Sequence, residues 1–211
     1  LRRALQLNPG YVVAHRAMAA ALLCDRRPHE AIEHSKQAVQ LDPVSLAENY
    51  FLSLCYVAAR DYAAAESAAR RSLELEPRHA GSIEKLGDIL IAKGDADKGV
   101  ELKVESARIS GSSPERLARL TNAYKSGGLK AYRALELEDM LKSWDGWHFM
   151  AYVIAAKYAQ IGNREGSLLW LRRVRDARGA GLMLANDAPE FDPYRSDPEF
   201  REIVGPAFSK R

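Results

Sequence analysis

The sequence predicts an all-α solenoid, a stack of antiparallel helical hairpins that recur at a fixed interval along the chain. The first observation is a recurring segment, because "LQLNPG", "VQLDPV" and "LELEPR" begin at Leu5, Val39 and Leu73, at a constant 34-residue step. The second is a set of matched columns that appears when the repeats begin at Val12 and follow the same 34-residue step. Self-similarity at a period of about 20 to 50 residues indicates stacked units that bury their apolar faces against one another.

Four columns of the repeat have the properties of a packed helical hairpin. The seventh and eleventh positions are large and lie four residues apart, so they share one face of a first helix. The eighth position is small, which lets a second helix approach closely. The fifteenth falls at the turn, where glycine tolerates the left-handed backbone that ends a helix. The eighth column holds Ala19, Ser53, Gly87, Thr121 and Ala155, and the fifteenth holds Arg26, Arg60, Gly94, Gly128 and Gly162.

A second helix follows each turn, and the proline of "LNP", "LDP" or "LEP" ends it, because proline cannot continue the helical hydrogen bonds. Residues 1–9 match the last quarter of a repeat, with Ala4 in the place of Ala38 and Leu7 in the place of Leu41. We therefore expect these residues to be the end of a truncated upstream repeat, and the chain to be a fragment of a longer protein.

The rest of the chain divides by the same 34-residue step. Residues 10–111 form three regular repeats, and residues 112–145 form a degenerate repeat with Arg133 and Met140 at positions where small residues are expected. The second helix of that repeat, at about residues 130–142, is expected to be rotated or shifted. The fifth repeat follows at residues 146–177.

Residues 178–211 have no counterpart one repeat step earlier, and a solenoid needs a cap because its last hairpin would otherwise expose an apolar face. "SDPEFREIV" predicts a short helix with Ser196 or Asp197 as its N-cap and Pro198 and Glu199 in its first turn. We expect this segment to fold back onto the fifth repeat through its large apolar residues. Those residues are Phe191, Tyr194, Phe200 and Ile203.

Composition and motifs indicate no catalytic, metal or cofactor site. The net charge of +3 is too small to indicate a nucleic-acid partner, and no apolar run approaches the ~20 residues that cross a bilayer. The five histidines form no HExxH pair, and no GxSxG, GxGxxG or phosphate-loop motif occurs. Cys24 and Cys55 fit no metal or redox spacing and are expected to be reduced thiols, which favours the cytoplasm. A periplasmic location stays open if a transmembrane segment lies upstream.

The segments "VVAHRAMAAALLCDRRPHEAIEHSKQAVQLDP" and "DYAAAESAARRSLELEP" resemble the tetratricopeptide repeat (TPR) over their whole length. The fourth position departs from the family, because His15, Asn49 and Ile83 replace its tryptophan. The resemblance covers nearly the whole chain and implies a TPR-type α-solenoid with a C-terminal cap. The tail, "GNREGSLLWLRRVRDARGAGLMLANDAPEFDPYRSDPEF", is similar to the end of TPR regions in bacterial multidomain signalling proteins. Their upstream domains are often winged-helix DNA-binding domains, nucleotide cyclases or Ser/Thr kinases, none of which lies in these 211 residues.

The TPR resemblance implies that the first helix of each repeat lines a concave face that binds a partner. The residues at the implied positions are Arg16, Ala20, Leu23, Tyr50, Leu54, Val57, Glu84, Asp88, Asn122 and Tyr152. This face is apolar toward the N-terminus, apart from one arginine, and acidic in its middle. A clamp for the C-terminal carboxylate of heat-shock chaperones is excluded, because Ala20 and Phe51 stand where that class of TPR domain has asparagine.

We therefore predict a non-catalytic protein–protein interaction scaffold, part of a larger bacterial signalling or regulatory protein, that binds a peptide with apolar anchors or a partner domain. An alternative for the function is an intrachain regulatory module of a DNA-binding transcriptional regulator, a cyclase or a kinase. The apolar residues of the face could equally pack against an upstream hairpin or another domain of the same chain. No direct contact with nucleic acid or with a membrane is expected.

Overall fold

The computed structural model describes residues 1–179, 181–185 and 188–205, and every regular element in those ranges is helical. The helices are α1 (Arg2–Leu7), α2 (Val12–Cys24), α3 (Pro28–Leu41), α4 (Leu46–Ala58), α5 (Tyr62–Leu75), α6 (Ala80–Ala92), α7 (Ala96–Ile109), α8 (Pro114–Ser143), α9 (His148–Gln160), α10 (Arg164–Asp176), α11 (Gly181–Ala185), a 3₁₀ helix (Pro189–Tyr194) and α12 (Pro198–Val204).

The chain forms two compact units, residues 1–117 and 118–211, and each is described by itself. The boundary between them falls inside α8. The division into repeats at residues 10–111, 112–145 and 146–177 therefore stays a prediction.

The first unit contains three helical hairpins, α2–α3, α4–α5 and α6–α7, and each hairpin packs on the next through α3–α4 and α5–α6. The contacts between helices are made by small side chains that are fully buried. Among them are Ala19, Ala31, Ala38, Ser53, Ala65, Ala69 and Ser72. Helix α1 has no buried residue. Small residues at helix contacts confirm what the repeat columns predict, because a bulkier side chain there would hold the helices apart.

Helices α6 and α7 show how close this approach is. A Cβ atom built on Gly87 would lie 2.7 Å from the carbonyl oxygen of Gly99, and one built on Gly99 would lie 2.7 Å from the carbonyl oxygen of Gly87. Backbone therefore faces backbone at this point, and neither position has room for a side chain.

The turn between the two helices of a repeat uses a left-handed residue, as the fifteenth column predicts. The φ angles are +61° at both Arg26 and Arg60, and +95°, +62° and +78° at Gly94, Gly128 and Gly162. Glycine adopts this conformation without strain, whereas an L-residue with a side chain does so at a cost of roughly 1–2 kcal/mol.

Helix α8 is interrupted at Gly127 and Gly128, whose backbone angles are not helical. Beyond that point the chain returns antiparallel to the first half of the helix. This direction is evident from the ion pair between the two halves, in which the guanidinium of Arg119 lies 3.5 Å from the carboxylate of Glu138. The interruption is therefore a tight hairpin turn.

The second half of α8 buries a partly different side from the regular second helices. Tyr132 is buried, although Glu30 and Lys98 in its column are exposed, whereas Arg133 and Met140, at the columns that hold small residues elsewhere, are only partly buried. Leu137 is buried like the rest of its column. The large side chains cannot enter the close contact, and the helix has turned about its axis. This agrees with the rotated second helix that the sequence predicts.

The second unit is built around the α9–α10 hairpin and the capping segment that folds onto it. The predicted cap residues are all buried in one cluster with Leu168, Leu171 and Val174 of α10. They are Phe191, Tyr194, Phe200 and Ile203. The structure thus confirms a C-terminal cap. Residue 180, residues 186–187 and the part of the predicted cap after Gly205 lie outside the described residues.

The start of α12 shows how the cap is held. Asp197 is the N-cap, and its carboxylate accepts a hydrogen bond from the backbone N–H of Glu199. Arg164 of α10 donates to Asp197 at 2.5 Å and to Glu199 at 2.7 Å, and Arg172 also pairs with Glu199. The arginine lowers the pKa of Asp197, so the carboxylate stays charged in its capping role.

Candidate partner-binding face

Eight of the ten residues predicted to bind a partner lie in the first unit, on α2, α4 and α6. They are Arg16, Ala20 and Leu23 on α2, Tyr50, Leu54 and Val57 on α4, and Glu84 and Asp88 on α6. Residues three and four apart share one side of a helix. Each group therefore occupies a single helix face, and every member is partly or fully exposed.

The apolar members of this face are half-buried. Leu23 packs on the cluster that includes Leu22 and Ile32, and Val57 packs on the cluster of α5 and α6. The ring of Tyr50 stands edge-on to the ring of His79, with 6.0 Å between the centroids. These contacts hold Leu23, Val57 and Tyr50 in place on one side, while each side chain remains partly open to solvent on the other.

Arg16 forms an ion pair with a residue of the same unit. Its Nη1 donates to Oε1 of Glu48 at 2.7 Å, and the Glu48 side chain is only 3% exposed. The second carboxylate oxygen of Glu48 has no hydrogen-bond partner among the described residues. Burial raises the pKa of Glu48 and the charge of Arg16 opposes that shift. Arg16 therefore compensates a buried carboxylate and is not an isolated positive charge.

The middle of the face is not acidic as the sequence predicts, because Lys103 of α7 neutralises it. The Nζ of Lys103 lies 2.8 Å from Asp88 and 3.5 Å from Glu84, and Lys85 lies 3.6 Å from Asp88. Two carboxylates thus face two ammonium groups. The Lys103 side chain is only 4% exposed, so its charge is held in place by the fold.

Lys103 reaches this face because Gly87 has no side chain. A Cβ on Gly87 would lie 2.8 Å from Cγ of Lys103, so the aliphatic part of the lysine runs across the glycine. Sequence reasoning missed Lys103, although one signal exists. Its column otherwise contains buried uncharged residues, namely Ser35, Ala69, Leu137 and Leu171. A lysine in a buried column indicates a specific counter-charge, since lysine is almost never fully buried unless it is paired.

The other two predicted residues belong to the second unit. Asn122 is exposed on the first half of α8. Tyr152 is only 9% exposed, and its ring centroid is 6.1 Å from that of Phe191 in the cap. A Cβ on Gly181 would lie 2.7 Å from Cβ of Tyr152, so α11 lies directly against the tyrosine. The structure therefore places Tyr152 in the core beneath the cap, and burial raises its pKa.

The described residues contain no group of three or more His, Cys, Asp or Glu side chains that could hold a metal ion. Within the same ranges, no helix combines the length and apolar character needed to cross a membrane.

One histidine–serine contact resembles a nucleophile and its base but has a structural role. Nδ1 of His79 lies 2.8 Å from the hydroxyl of Ser82 and also accepts the backbone N–H of that residue, which makes His79 the N-cap of α6. The Ser82 hydroxyl is completely buried and lies 2.8 Å from the hydroxyl of Ser72. A substrate could not reach it.

Comparison with known proteins gives a likeness in fold. No protein-family model matches the chain, and no curated protein sequence matches it. Among solved structures, YrrB, described as a TPR protein with an unusual peptide-binding site, has a TM-score of 0.50 and 18% identity over 83% of this chain and 90% of its own. MamA has a TM-score of 0.48 and 19% identity over 84% of each chain. The likeness to YrrB and the 34-residue hairpins show that this chain has the TPR-type α-solenoid fold.

Proposed function

We propose that the chain is a non-catalytic protein-interaction scaffold that binds a peptide or a partner domain on the face of α2, α4 and α6. The observation that carries the proposal is the apolar group of Leu23, Tyr50, Leu54 and Val57, whose members are all partly exposed. Leu23 and Val57 pack on the core, and Tyr50 lies against the ring of His79. Anchored apolar and aromatic side chains lose little conformational entropy on binding, which makes them effective contact residues.

The charges on this face favour an apolar partner. Arg16 is paired with Glu48, and Glu84 and Asp88 are balanced by Lys103 and Lys85. A strongly charged peptide would have to compete with these pairs. A peptide that presents apolar side chains at alternate positions or on one side of a helix would meet the face without disturbing them.

We further propose that the chain is a module of a larger bacterial signalling protein, as the resemblance of its tail implies, and that the partner includes a domain of the same protein. The alternative function is control of a DNA-binding, cyclase or kinase domain in that protein. The proposed cytoplasmic location is supported by the two free thiols, Cys24 and Cys55.

The test uses peptides selected from a random display library on the immobilised wild-type chain. The double variant Tyr50→Ala, Leu54→Arg is expected to weaken the selected peptides by tenfold or more, measured by fluorescence anisotropy. The control is Ala63→Arg, which places an arginine at an exposed position of α5 in the same hairpin. Circular dichroism confirms that all three chains remain helical.

The proposal fails if selected peptides bind the double variant as tightly as the wild type, or if Ala63→Arg weakens them equally. A failure to select any peptide would also count against peptide binding on this face.

A further inference from the structure

Two tryptophans of the second unit form a corner that holds an arginine. The indole rings of Trp144, which precedes α9, and Trp170 of α10 lie edge to face, with 4.7 Å between their centroids. The guanidinium carbon of Arg173 lies 4.4 Å from the centroid of Trp170 and 5.3 Å from that of Trp144. Trp170 is only 5% exposed, whereas Arg173 is an exposed residue. The arginine is therefore stacked on a buried aromatic base and still meets solvent.

Arg173 differs from the other arginines of α10, because it has no carboxylate partner among the described residues. Arg164 and Arg172 pair with carboxylates at the start of α12, and Arg175 lies 3.2 Å from Asp176. A guanidinium has five N–H donors in a planar fork and no acceptor, and stacking on an aromatic face leaves the edge of that fork open. Arg173 thus presents hydrogen-bond donors and a positive charge that this unit does not use.

Leu169 gives the stacked arginine an apolar neighbour. It lies four residues before Arg173, so the two side chains share one side of α10, and it is 48% exposed. This side of the helix therefore offers a cation and an apolar contact one turn apart. Arginine and tryptophan are also the residue types that most often contribute large parts of the binding energy at protein interfaces.

We propose that Arg173, stacked on Trp144 and Trp170, anchors a carboxylate of an acidic peptide or protein partner, and that Leu169 contacts an apolar residue beside that carboxylate. The guanidinium donates two parallel N–H···O bonds to the carboxylate, a geometry that an ammonium group cannot reproduce. Because the two rings already hold the guanidinium in place, little side-chain entropy is lost on binding. The site lies on helices other than α2, α4 and α6, and its test is independent of the function proposed for that face.

The local charges favour a carboxylate over a phosphate group. Arg172 is compensated by Glu199 and Arg175 by Asp176, so Arg173 is the one uncompensated cation of α10 among the described residues. A phosphate group carries roughly −1.5 to −2 charges at pH 7 and is typically bound by a cluster of arginines. A single stacked guanidinium beside an apolar side chain matches the single charge of a carboxylate.

The test titrates the ¹⁵N-labelled chain with the peptide N-acetyl-Leu-Glu-Leu-amide and with its uncharged counterpart, in which glutamine replaces the glutamate. NMR follows the Nε–H resonance of Arg173 and the indole N–H resonances of Trp144 and Trp170. Nε1 of Trp144 is buried and has no hydrogen-bond partner among the described residues, so its resonance reports changes in the corner itself. The glutamate peptide is expected to shift these resonances and to bind about tenfold more tightly than the glutamine peptide. N-acetyl-Leu-Leu, whose carboxylate is C-terminal, shows whether a chain end can replace the side chain.

Two variants separate the anchor from the net charge of the chain. Arg173→Met removes the guanidinium but keeps an unbranched side chain that packs well on aromatic rings, and it should weaken the glutamate peptide about tenfold, to the level of the glutamine peptide. The control Arg178→Met removes the same charge from an exposed arginine just beyond α10 and should bind the glutamate peptide like the wild type.

Equal binding of the two peptides by the wild type, or no shift with the glutamate peptide, would overturn the proposal, and this comparison needs no variant. Unchanged binding by Arg173→Met, or an equal loss in Arg178→Met, would also overturn it. Inorganic phosphate at matched ionic strength tests the competing ligand. If phosphate bound more tightly than the glutamate peptide and shifted the same resonances, the site would be a phosphate site and the assignment to a carboxylate would be wrong.

Discussion

The substitution Gly87→Ala tests whether backbone contact between α6 and α7 determines the packing of the third hairpin. In an open helix this change would stabilise the chain by about 0.5–1 kcal/mol, because alanine loses less backbone entropy on folding than glycine. In this chain the new Cβ would lie 2.7 Å from the carbonyl oxygen of Gly99 and 2.8 Å from Cγ of Lys103.

The cost of the steric clash is expected to exceed the gain in helix propensity. A carbonyl oxygen cannot rotate away, so the two helices must separate, and the lysine must leave its place beside Asp88 and Glu84. Overpacking of this kind costs typically about 1–3 kcal/mol. Set against the propensity gain, the net loss in the free energy of unfolding is at most about 2.5 kcal/mol, with a central value of about 1 kcal/mol.

The assay is urea unfolding followed by circular dichroism at 222 nm, with the midpoint compared at a constant slope. The matched control is Gly81→Ala in the same helix. Its Cβ would meet the ring of His79 at 3.2 Å and no backbone atom outside its own helix within 3.8 Å, so neither helix has to move and the stability is expected to stay within about 1 kcal/mol of wild type. If Gly87→Ala were as stable as wild type, the contact between the two backbones could not be as close as described.

Two further predictions concern buried ionisable groups. Arg16→Ala should destabilise the chain by about 2–3 kcal/mol at pH 7, because it leaves the Glu48 carboxylate buried without a counter-charge. Burial raises the pKa of that carboxyl above 4.5, so the penalty is largest at neutral pH and shrinks as the pH falls through the raised value, which unfolding at pH 7 and pH 4.5 will show. Burial also raises the pKa of Cys55 to about 11, whereas Cys24 is partly exposed. A thiol reagent at pH 8 should therefore modify Cys24 in the folded chain and Cys55 only after unfolding; equal rates would show that Cys55 is accessible.

The proposed face was predictable only in part from the sequence. The positions of Leu23, Tyr50 and Leu54 follow from the repeat, because residues three and four apart share a helix face. The partners Glu48 and Lys103 do not follow from it, since each lies on a different helix from its counter-charge and meets it only when the helices pack. The residue pattern of one helix does not show which side chains of other helices will form ion pairs with it.

Tyr152 is a second residue whose environment the sequence did not predict, because it was expected on the exposed face and is buried. Its column is partly or fully exposed in the earlier repeats, but in the second unit the cap folds over it and buries the ring against Phe191. The cap was expected to cover apolar residues of the fifth repeat, and its amphipathic pattern predicts that much. The side of α9 that the cap covers depends on the path of the capping segment. That path cannot be inferred from the repeats, because the segment has no counterpart among them.

By itself, the sequence determined the all-α class, the 34-residue hairpin, the left-handed residue at each turn and the existence of a cap. These features depend on spacing along one helix and on backbone conformations that only certain residues adopt readily, and both can be read locally. The tertiary structure alone decided which charges on the face are compensated, which aromatic side chain is covered, and that His15 lies against His34. Those outcomes depend on distances between atoms of different helices, which the packing of small residues sets and which no single stretch of sequence contains.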